Sequence, residues 1–359
     1  MASFNPHVQL NYAFTGEQSK DMQYASILEG IGKYSRVMPN IKSLEQFIFV
    51  NPNTYKGISR DASKTSCAPT RVDLTAPTNK TPKVYEFDFG TETCVKTLTY
   101  DTNADYTQWQ NKRNTGMAGF RGMAGFEGIF ASQIITGLAN DNFERHWFAN
   151  PSNTAGSIID TLEMTGVWTQ LIAASGGAGV AAAFDTPYQG TDLGATPTDT
   201  EIIDSLRDLI QNSYETLQAT PEARKKFLVT PNVKYAVDNY LKTVTGSNDN
   251  FTFIQDQGFG RRVFIDGIEI VPIWGWKSSL NQSIGADRLN DLGADTQYLI
   301  LLTDIDNIFG LTDDLSDTAR FETNYDPRTK TVLYDGNWML GSFIIDMGLC
   351  AFAKQNLVP

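Results

Sequence analysis

Two histidines, three cysteines and a cluster of late carboxylates are the residues of this chain whose types could carry chemistry. A Ser-His-Asp arrangement needs a histidine oriented by a carboxylate and placed against a serine. His7 lies in a polar stretch, MASFNPHVQLNYAF. His146 lies in ERHWF, at the end of an apolar-striped helix, where it reads as a cap or core residue. Cys67, Cys94 and Cys350 form no C-x-x-C spacing and make an odd count. That suits neither a zinc site nor a disulfide framework, and no metal is expected. Asp304, Asp306, Asp313, Asp314 and Asp317 could offer oxygen ligands to a divalent cation. Their spacing does not match the EF-hand loop, and a solvated acidic face is expected instead. Gly177, Gly179 and Ala182 stand at G-x-G-x-x-A spacing. A dinucleotide site needs a strand before the glycines, a helix after them and an acid about 20 residues on. FDTPYQGTDLGATPT follows and leaves little room for a helix, so no cofactor is expected. The chain reads as a non-enzyme.

Composition narrows the function classes further. A chain of 359 residues suggests about two domains. Hydrophobic residues make up 41%, which is enough for folded cores. No apolar run approaches the ~18 residues that cross a bilayer. The first residues lack a basic segment followed by an apolar one, so no secretory signal is expected and the chain should stay where it is made. The net charge of −12, from 29 basic and 41 acidic residues, argues against a protein that grips nucleic acid. It leaves room for a container whose acidic wall keeps packed DNA mobile.

The elements that would position these residues can be read from periodicity. Residues 1 to 45 are mostly polar. One helical patch runs from Asp21 to Tyr34 with Tyr24, Ile27, Leu28 and Ile31 as its stripe. An arm of this kind should dock on its own chain or on a neighbour. Residues 66 to 95 read as a β-hairpin turning at PTNKTP. Pairing sets Val72 against Phe89, Leu74 against Phe87 and Ala76 against Tyr85. The same register places Cys67 opposite Cys94, about 5 Å apart between Cα atoms. A lone hairpin is marginal in water, so the apolar face must rest on another surface. A long helix is predicted over roughly 124 to 148, with Phe126, Phe130, Ile134 and Leu138 on one face. Residues 150 to 197 read as loops around a short helix at 157 to 164. Residues 198 to 218 are predicted as one helix with a Thr198–Glu201 capping box. KFLVTP should be a buried strand, followed by a helix capped by Thr230 with Pro231 at its first position. Val263 to Ile273 should be a hairpin turning at Asp266-Gly267. QYLILLT (297 to 303) should be a fully buried strand. Phe321 to Asn324, Thr331 to Tyr334 and Trp338 to Phe352 are the last strand candidates, punctuated by Asp326-Pro327 and Asp335-Gly336. Strands mixed with helices give an α+β fold class.

This order of parts resembles the Hong Kong 97-type capsid fold of tailed-phage major capsid proteins. The residues that carry the resemblance are EARKKFLVTPNVKYAVDNYLK, VFIDGIEIVPIW, and YLILLTDIDNIFG leading to TVLYDGNWMLGSFIIDMGLCAFAK. It implies an N-terminal arm over 1–45, an extended hairpin loop over 53–105 and a peripheral domain with a spine helix over 106–165. An axial domain over 166–317 and a return to the peripheral domain over 318–359 complete it. The implied function is a structural protein that self-assembles, through pentamers and hexamers, into an icosahedral shell enclosing phage DNA. Scaffold, portal and other virion proteins would be its partners, and the virion its location after assembly in the host cytoplasm. Val72, Leu74, Tyr85, Phe87 and Phe89 would be interface residues. Some family members cross-link a loop lysine to an asparagine of a neighbour. Lys80 or Lys83 with Asn324 or Asn337 could act so, or could be solvated surface groups. A Cys67–Cys94 bond could form once a virion meets an oxidising exterior. Two other readings fit the chain: an encapsulin-like compartment that holds protein, and a cytoplasmic α/β enzyme using the Gly177 region.

Overall fold

The structure, a computed structural model, describes residues 35–38, 47–48, 79–80, 85–94, 126–151, 164–175, 186–243, 251–256, 260–276, 297–312, 320–326 and 331–355. Its first elements are β1 (Arg36–Met38), β2 (Phe47–Ile48), β3 (Asn79–Lys80), β4 (Tyr85–Cys94), α1 (Phe126–Phe148), α2 (Val167–Ser175) and β5 (Tyr188–Gln189). Next come α3 (Asp199–Asn212), α4 (Glu215–Gln218), β6 (Lys225–Val229), α5 (Pro231–Thr243), β7 (Phe251–Asp256), β8 (Gly260–Ile265) and β9 (Ile268–Pro272). The chain closes with β10 (Leu299–Asp304), β11 (Ile308–Leu311), β12 (Arg320–Asp326), β13 (Thr331–Ile344), a single 3₁₀ turn (Met347–Leu349) and β14 (Cys350–Lys354). Two compact units result. Unit 1 holds Met1–Lys42, Val84–Thr169 and Phe309–Ser342, and unit 2 holds Ser43–Lys83, Gln170–Ile308 and Phe343–Pro359.

Unit 2 is built on a mixed sheet of order β5-β14-β10-β6-β9-β8-β7. β10 lies near its middle, antiparallel to both β14 and β6, and all six of its residues are buried. A strand covered on both faces should read as a continuous apolar run, and LILLT does. One face is covered by α3 and α5. Ile202, Ile203, Leu206 and Leu209 of α3 and Val233 and Val237 of α5 pack on Phe227, Val229, Val263, Ile270, Ile300 and Leu302. The capping box at the start of α3 is present. Glu201 N–H donates to the Thr198 hydroxyl at 3.3 Å, and Thr198 N–H donates to the Glu201 carboxylate at 2.7 Å. The β8–β9 hairpin turns as its dipeptide requires. Ile265 pairs with Ile268, and Asp266 (φ 49°) and Gly267 (φ 79°) both take the left-handed conformation of a type I′ turn.

Several expectations are corrected here. The helix predicted over 198 to 218 breaks at Ser213, which adopts φ −63° and ψ 161°. The Gln218 amide then donates to the freed carbonyls of Gln211 and Ser213, at 2.8 and 2.7 Å. Thr230 does not cap α5 with its side chain. Its hydroxyl donates to the Gln297 carbonyl at 2.8 Å and accepts Leu299 N–H at 3.2 Å, tying the start of the helix to β10. The stretch read as loops holds α2, and its Val167, Trp168 and Leu171 are buried. Residues from Phe343 onward fall in unit 2, where β14 pairs with β10.

In unit 1 the strand order is β1-β11-β13-β12, with β4 also pairing with β13. β13 is 14 residues long and carries antiparallel ladders to β12 and β4. Asp335 and Gly336 therefore do not punctuate. Asp335 is paired with Glu322 and Gly90, and Gly336 with Phe321 and Phe89. Two ladders hold this backbone extended and override the local preference of Asp-Gly for a turn. Asn79–Lys80, expected as part of a turn, is a short strand paired with Phe47–Ile48 in unit 2. β1 lies parallel to β11, Arg36 to Phe309, so the end of the expected arm is tied into a sheet. α1 has 23 residues, close to the predicted helix, and at 1.5 Å per residue is about 35 Å long. The expected helix at 21–34, the expected helix at 157–164 except for Met164, and the first hairpin strand at 66–76 lie outside the described residues.

Candidate functional site

The polar groups most deeply built into unit 1 lie on the last turn of α1. The final carbonyls of any helix lack intrahelical donors and must find others. The chain after α1 reads ANPS, with no glycine to close the helix by a left-handed turn. Donors arrive from elsewhere in the unit. Ser342 Oγ donates to the His146 carbonyl at 3.0 Å. The Ala149 carbonyl accepts Gly166 N–H at 2.7 Å and the Thr169 hydroxyl at 2.8 Å. Gly166 sits so close that a Cβ there would lie 2.5 Å from Ala149 N and 2.8 Å from Phe148 N, so only glycine fits. Trp147, Met164, Val167 and Trp168 are 0 to 1% exposed and seal these bonds from water.

His146 is the one histidine within the described residues, and it is fully buried. Its Nδ1 lies 2.8 Å from Ser342 Oγ. The single Oγ proton goes to the His146 carbonyl, so Nδ1 carries its own proton and donates it to Oγ. Nε2, where a neutral ring would hold its lone pair, makes no hydrogen bond among the described residues. Desolvation lowers its pKa from 6.5 to about 3, so the ring is neutral at physiological pH. A catalytic serine would need the opposite arrangement, in which the imidazole accepts from Oγ while a carboxylate holds its other nitrogen. His146 and Ser342 act as a structural pin, which is the core role expected for His146.

The five expected interface residues fall in different places. Val72 and Leu74 lie outside the described residues. Tyr85, Phe87 and Phe89 all lie on β4, opposite Leu340, Trp338 and Gly336 of β13. Tyr85 is half-buried. Phe87 is only 9% exposed, and the Arg145 guanidinium stands 4.3 Å from its ring centroid. The ring is thus covered within its own chain and offers a neighbour less surface than Tyr85 does. Arg145 was not singled out from the sequence. The only cue was a charged residue beside a fully apolar turn. Cys94 pairs through its backbone with Thr331, and Cys67 lies outside the described residues.

The carboxylate cluster divides. Asp304 is buried, and Arg224 lies 2.7 Å from its Oδ2 and 3.5 Å from Asp306. The other oxygen of Asp304 accepts Asp306 N–H at 3.0 Å. The expected solvated face is, at Asp304, a buried carboxylate whose oxygens are occupied, one of them by the half-exposed Arg224. Asp313, Asp314, Asp317 and Gly177, Gly179 and Ala182 lie outside the described residues, as do His7 and Lys83. Among the described residues no group of three or more His, Cys, Asp or Glu could hold a metal ion. No helix of the described residues is long and apolar enough to cross a membrane. Lys226 and Glu269 pair across β6 and β9, with Arg262 beside them. Tyr235 and Trp274 form an exposed edge-to-face pair, 50 and 57% exposed with centroids 6.1 Å apart. Both lie off the core faces of their elements, which is the only sequence cue they gave.

No protein-family model and no curated protein sequence matches the chain. Solved structures do. A chain of the satellite phage P4 procapsid, solved with its size determination protein, is 13% identical with a TM-score of 0.49, over 94% of this chain and 97% of that one. A chain of an empty GTA particle capsid is 14% identical with a TM-score of 0.49, over 91% and 90%. The structural neighbours are capsid chains. An encapsulin of Synechococcus elongatus, SrpI, is also similar, at 10% identity and a TM-score of 0.44 over 91% and 86%. The TM-scores lie below 0.5, so these likenesses carry no argument about function.

Proposed function

We propose that this chain is a structural subunit of a closed, self-assembling shell, a capsid-type protein that encloses phage DNA. One observation carries the reading: the order in which the chain builds its parts. An extended β4 precedes the 23-residue α1. A helix-covered sheet, β5 to β10, follows in unit 2. The chain then returns to lay β12 and β13 beside β4. This is the order of loop, spine helix, axial domain and peripheral return that the sequence resemblance implies. The polar groups with possible chemistry that the structure describes are engaged in structural bonds: His146 with Ser342, and Asp304 with Arg224.

The net charge of −12 suits a wall that surrounds DNA without sequence-specific grip. The proposal includes pentamer- and hexamer-like rings, contact with scaffold and portal proteins, and an interface role for Val72, Leu74, Tyr85, Phe87 and Phe89. Such a subunit should bury more than the about 1,200–2,000 Å² of a usual interface.

Electron microscopy of the purified full-length chain, with and without co-expressed virion proteins, tests the reading. Uniform closed particles are expected, and DNA inside them supports the phage role. Particles filled with protein instead would identify an encapsulin-like compartment. A chain that stays monomeric at high concentration, or forms only small oligomers that turn over a substrate, would overturn the proposal.

A further inference from the structure

The chain passes between its two units five times, after Lys42, Lys83, Thr169, Ile308 and Ser342. Three of these passages are preceded or followed, on the unit 1 side, by a residue fixed to the same turn of α1. Ser342 is the last residue of unit 1 before one passage, and its hydroxyl engages both Nδ1 and the carbonyl of His146. Thr169 is the last residue before another, and its hydroxyl engages the Ala149 carbonyl. Phe87 follows a third by a few residues, and its ring lies under Arg145. Arg145, His146 and Ala149 are consecutive or nearly so, and are 6, 0 and 1% exposed.

We propose that the end of α1 and the two residues after it, residues 145 to 150, form an anchoring hub that couples three passages of the chain, one entering unit 1 and two leaving it. The inference goes beyond the shell reading and does not depend on it. The physical reason lies in the helix end. Its orphan carbonyls demand donors, and two of the hydroxyls that supply them belong to the last residues of unit 1 before the chain leaves it, while the Phe87 ring, just after the chain enters, covers Arg145. Each spoke therefore bonds or covers a group that the other spokes help to keep dry. Water admitted at one spoke weakens the bonds at the others, because a buried hydrogen bond gains its strength from exclusion of solvent. The ring of His146 stacks edge-to-face on Trp147 at 5.1 Å and links the Ser342 spoke to the buried apolar side chains of the hub. A change in the long β4–β13 ladder near Phe87 would thus be felt at Thr169 and Ser342.

Hydrogen exchange of the full-length chain, followed by mass spectrometry, tests the coupling. Ser342→Ala removes one donor without adding bulk. Loss of about 1 kcal/mol corresponds to a roughly fivefold faster opening. The expected result is acceleration of that size in three separate segments, 85–89, 164–170 and 339–345, with β10 (299–304) unchanged. Acceleration confined to 339–345 would overturn the proposal, because the contact would then be local. Equal acceleration in β10 would also overturn it, because the effect would then be general loss of stability. Arg145→Lys keeps the charge but loses the flat guanidinium over Phe87, and probes the hub from another spoke. It must accelerate the same three segments. Neither readout requires that particles form, so failure here is distinct from failure of the shell reading.

Discussion

Acidification should loosen unit 1 through one side chain, and the size of the effect follows from its burial. His146 is fully buried and neutral, with its pKa lowered from 6.5 to about 3 by desolvation. In the unfolded chain the ring titrates near 6.5. Between these values the unfolded state binds a proton that the folded state refuses, so stability is lost as pH falls from 6.5 toward 3. Each pH unit within that window removes about 1.4 kcal/mol. Going from pH 7.5 to 5 should therefore cost about 2 kcal/mol, or roughly a thirtyfold increase in the open population. That range lies above the usual carboxylate pKa values, so Asp and Glu contribute little to it. Hydrogen exchange in peptides covering 138–150, corrected for the intrinsic pH dependence of exchange, reads the local effect and excludes His7. His146→Gln keeps a polar side chain and cannot titrate. It should be less stable at pH 7.5 and should lose the slope. A slope of the same size in His146→Gln, or no slope in the parent chain, would refute the assignment.

Two further predictions concern unit 2. Thr198→Ala removes the half of the capping box made by the hydroxyl, leaving the backbone N–H bond to Glu201, and should destabilise α3 by about 1 kcal/mol, read by exchange at residues 199–206. The carboxyl of Glu201, held low first by the Thr198 backbone N–H and then by its hydroxyl, should rise only part of the way toward its ordinary pKa in the same variant, which an NMR titration would show. Gly267→Ala places a Cβ at φ +79° and should cost roughly 1 kcal/mol in backbone strain, the exposed Glu222 carboxylate swinging aside. Gly194→Ala meets nothing within 4 Å and should leave the melting temperature unchanged. Equal melting temperatures for the two variants would contradict the turn geometry.

What the sequence made legible was the part governed by short-range rules. The Thr198–Glu201 cap, the Asp266-Gly267 turn and the continuous apolar run of β10 each depend on neighbours a few residues away, and each stands as read. The misreadings occur where a distant partner decides. Asp335-Gly336 prefers a turn, but β4 and β12 hold it flat from both edges. The Thr230 hydroxyl is well placed to cap α5, but Gln297 and Leu299 occupy it. The hairpin reading identified β4 as a strand and could not foresee β13 as its neighbour, because the two lie more than 200 residues apart.

The same distinction explains why the candidate site was hard to find. Arg145 and His146 looked like an ordinary charged end of a helix, and nothing beside them pointed to the distant donors of the His146 and Ala149 carbonyls. The donors come from Gly166, Thr169 and Ser342, at sequence separations up to 196 residues. One local cue was present. A helix that ends without glycine, in a turn that carries Trp147 and Phe148 and is followed by proline, leaves acceptors that these buried rings keep from water. Such an end must be completed by another part of the chain, and here the completing residues include the last residue before two passages between the units. An uncapped, apolar helix terminus is therefore a sign of long-range tethering that is legible in the amino-acid sequence itself. In this chain it marks the turn on which Ser342, Thr169 and Phe87 converge.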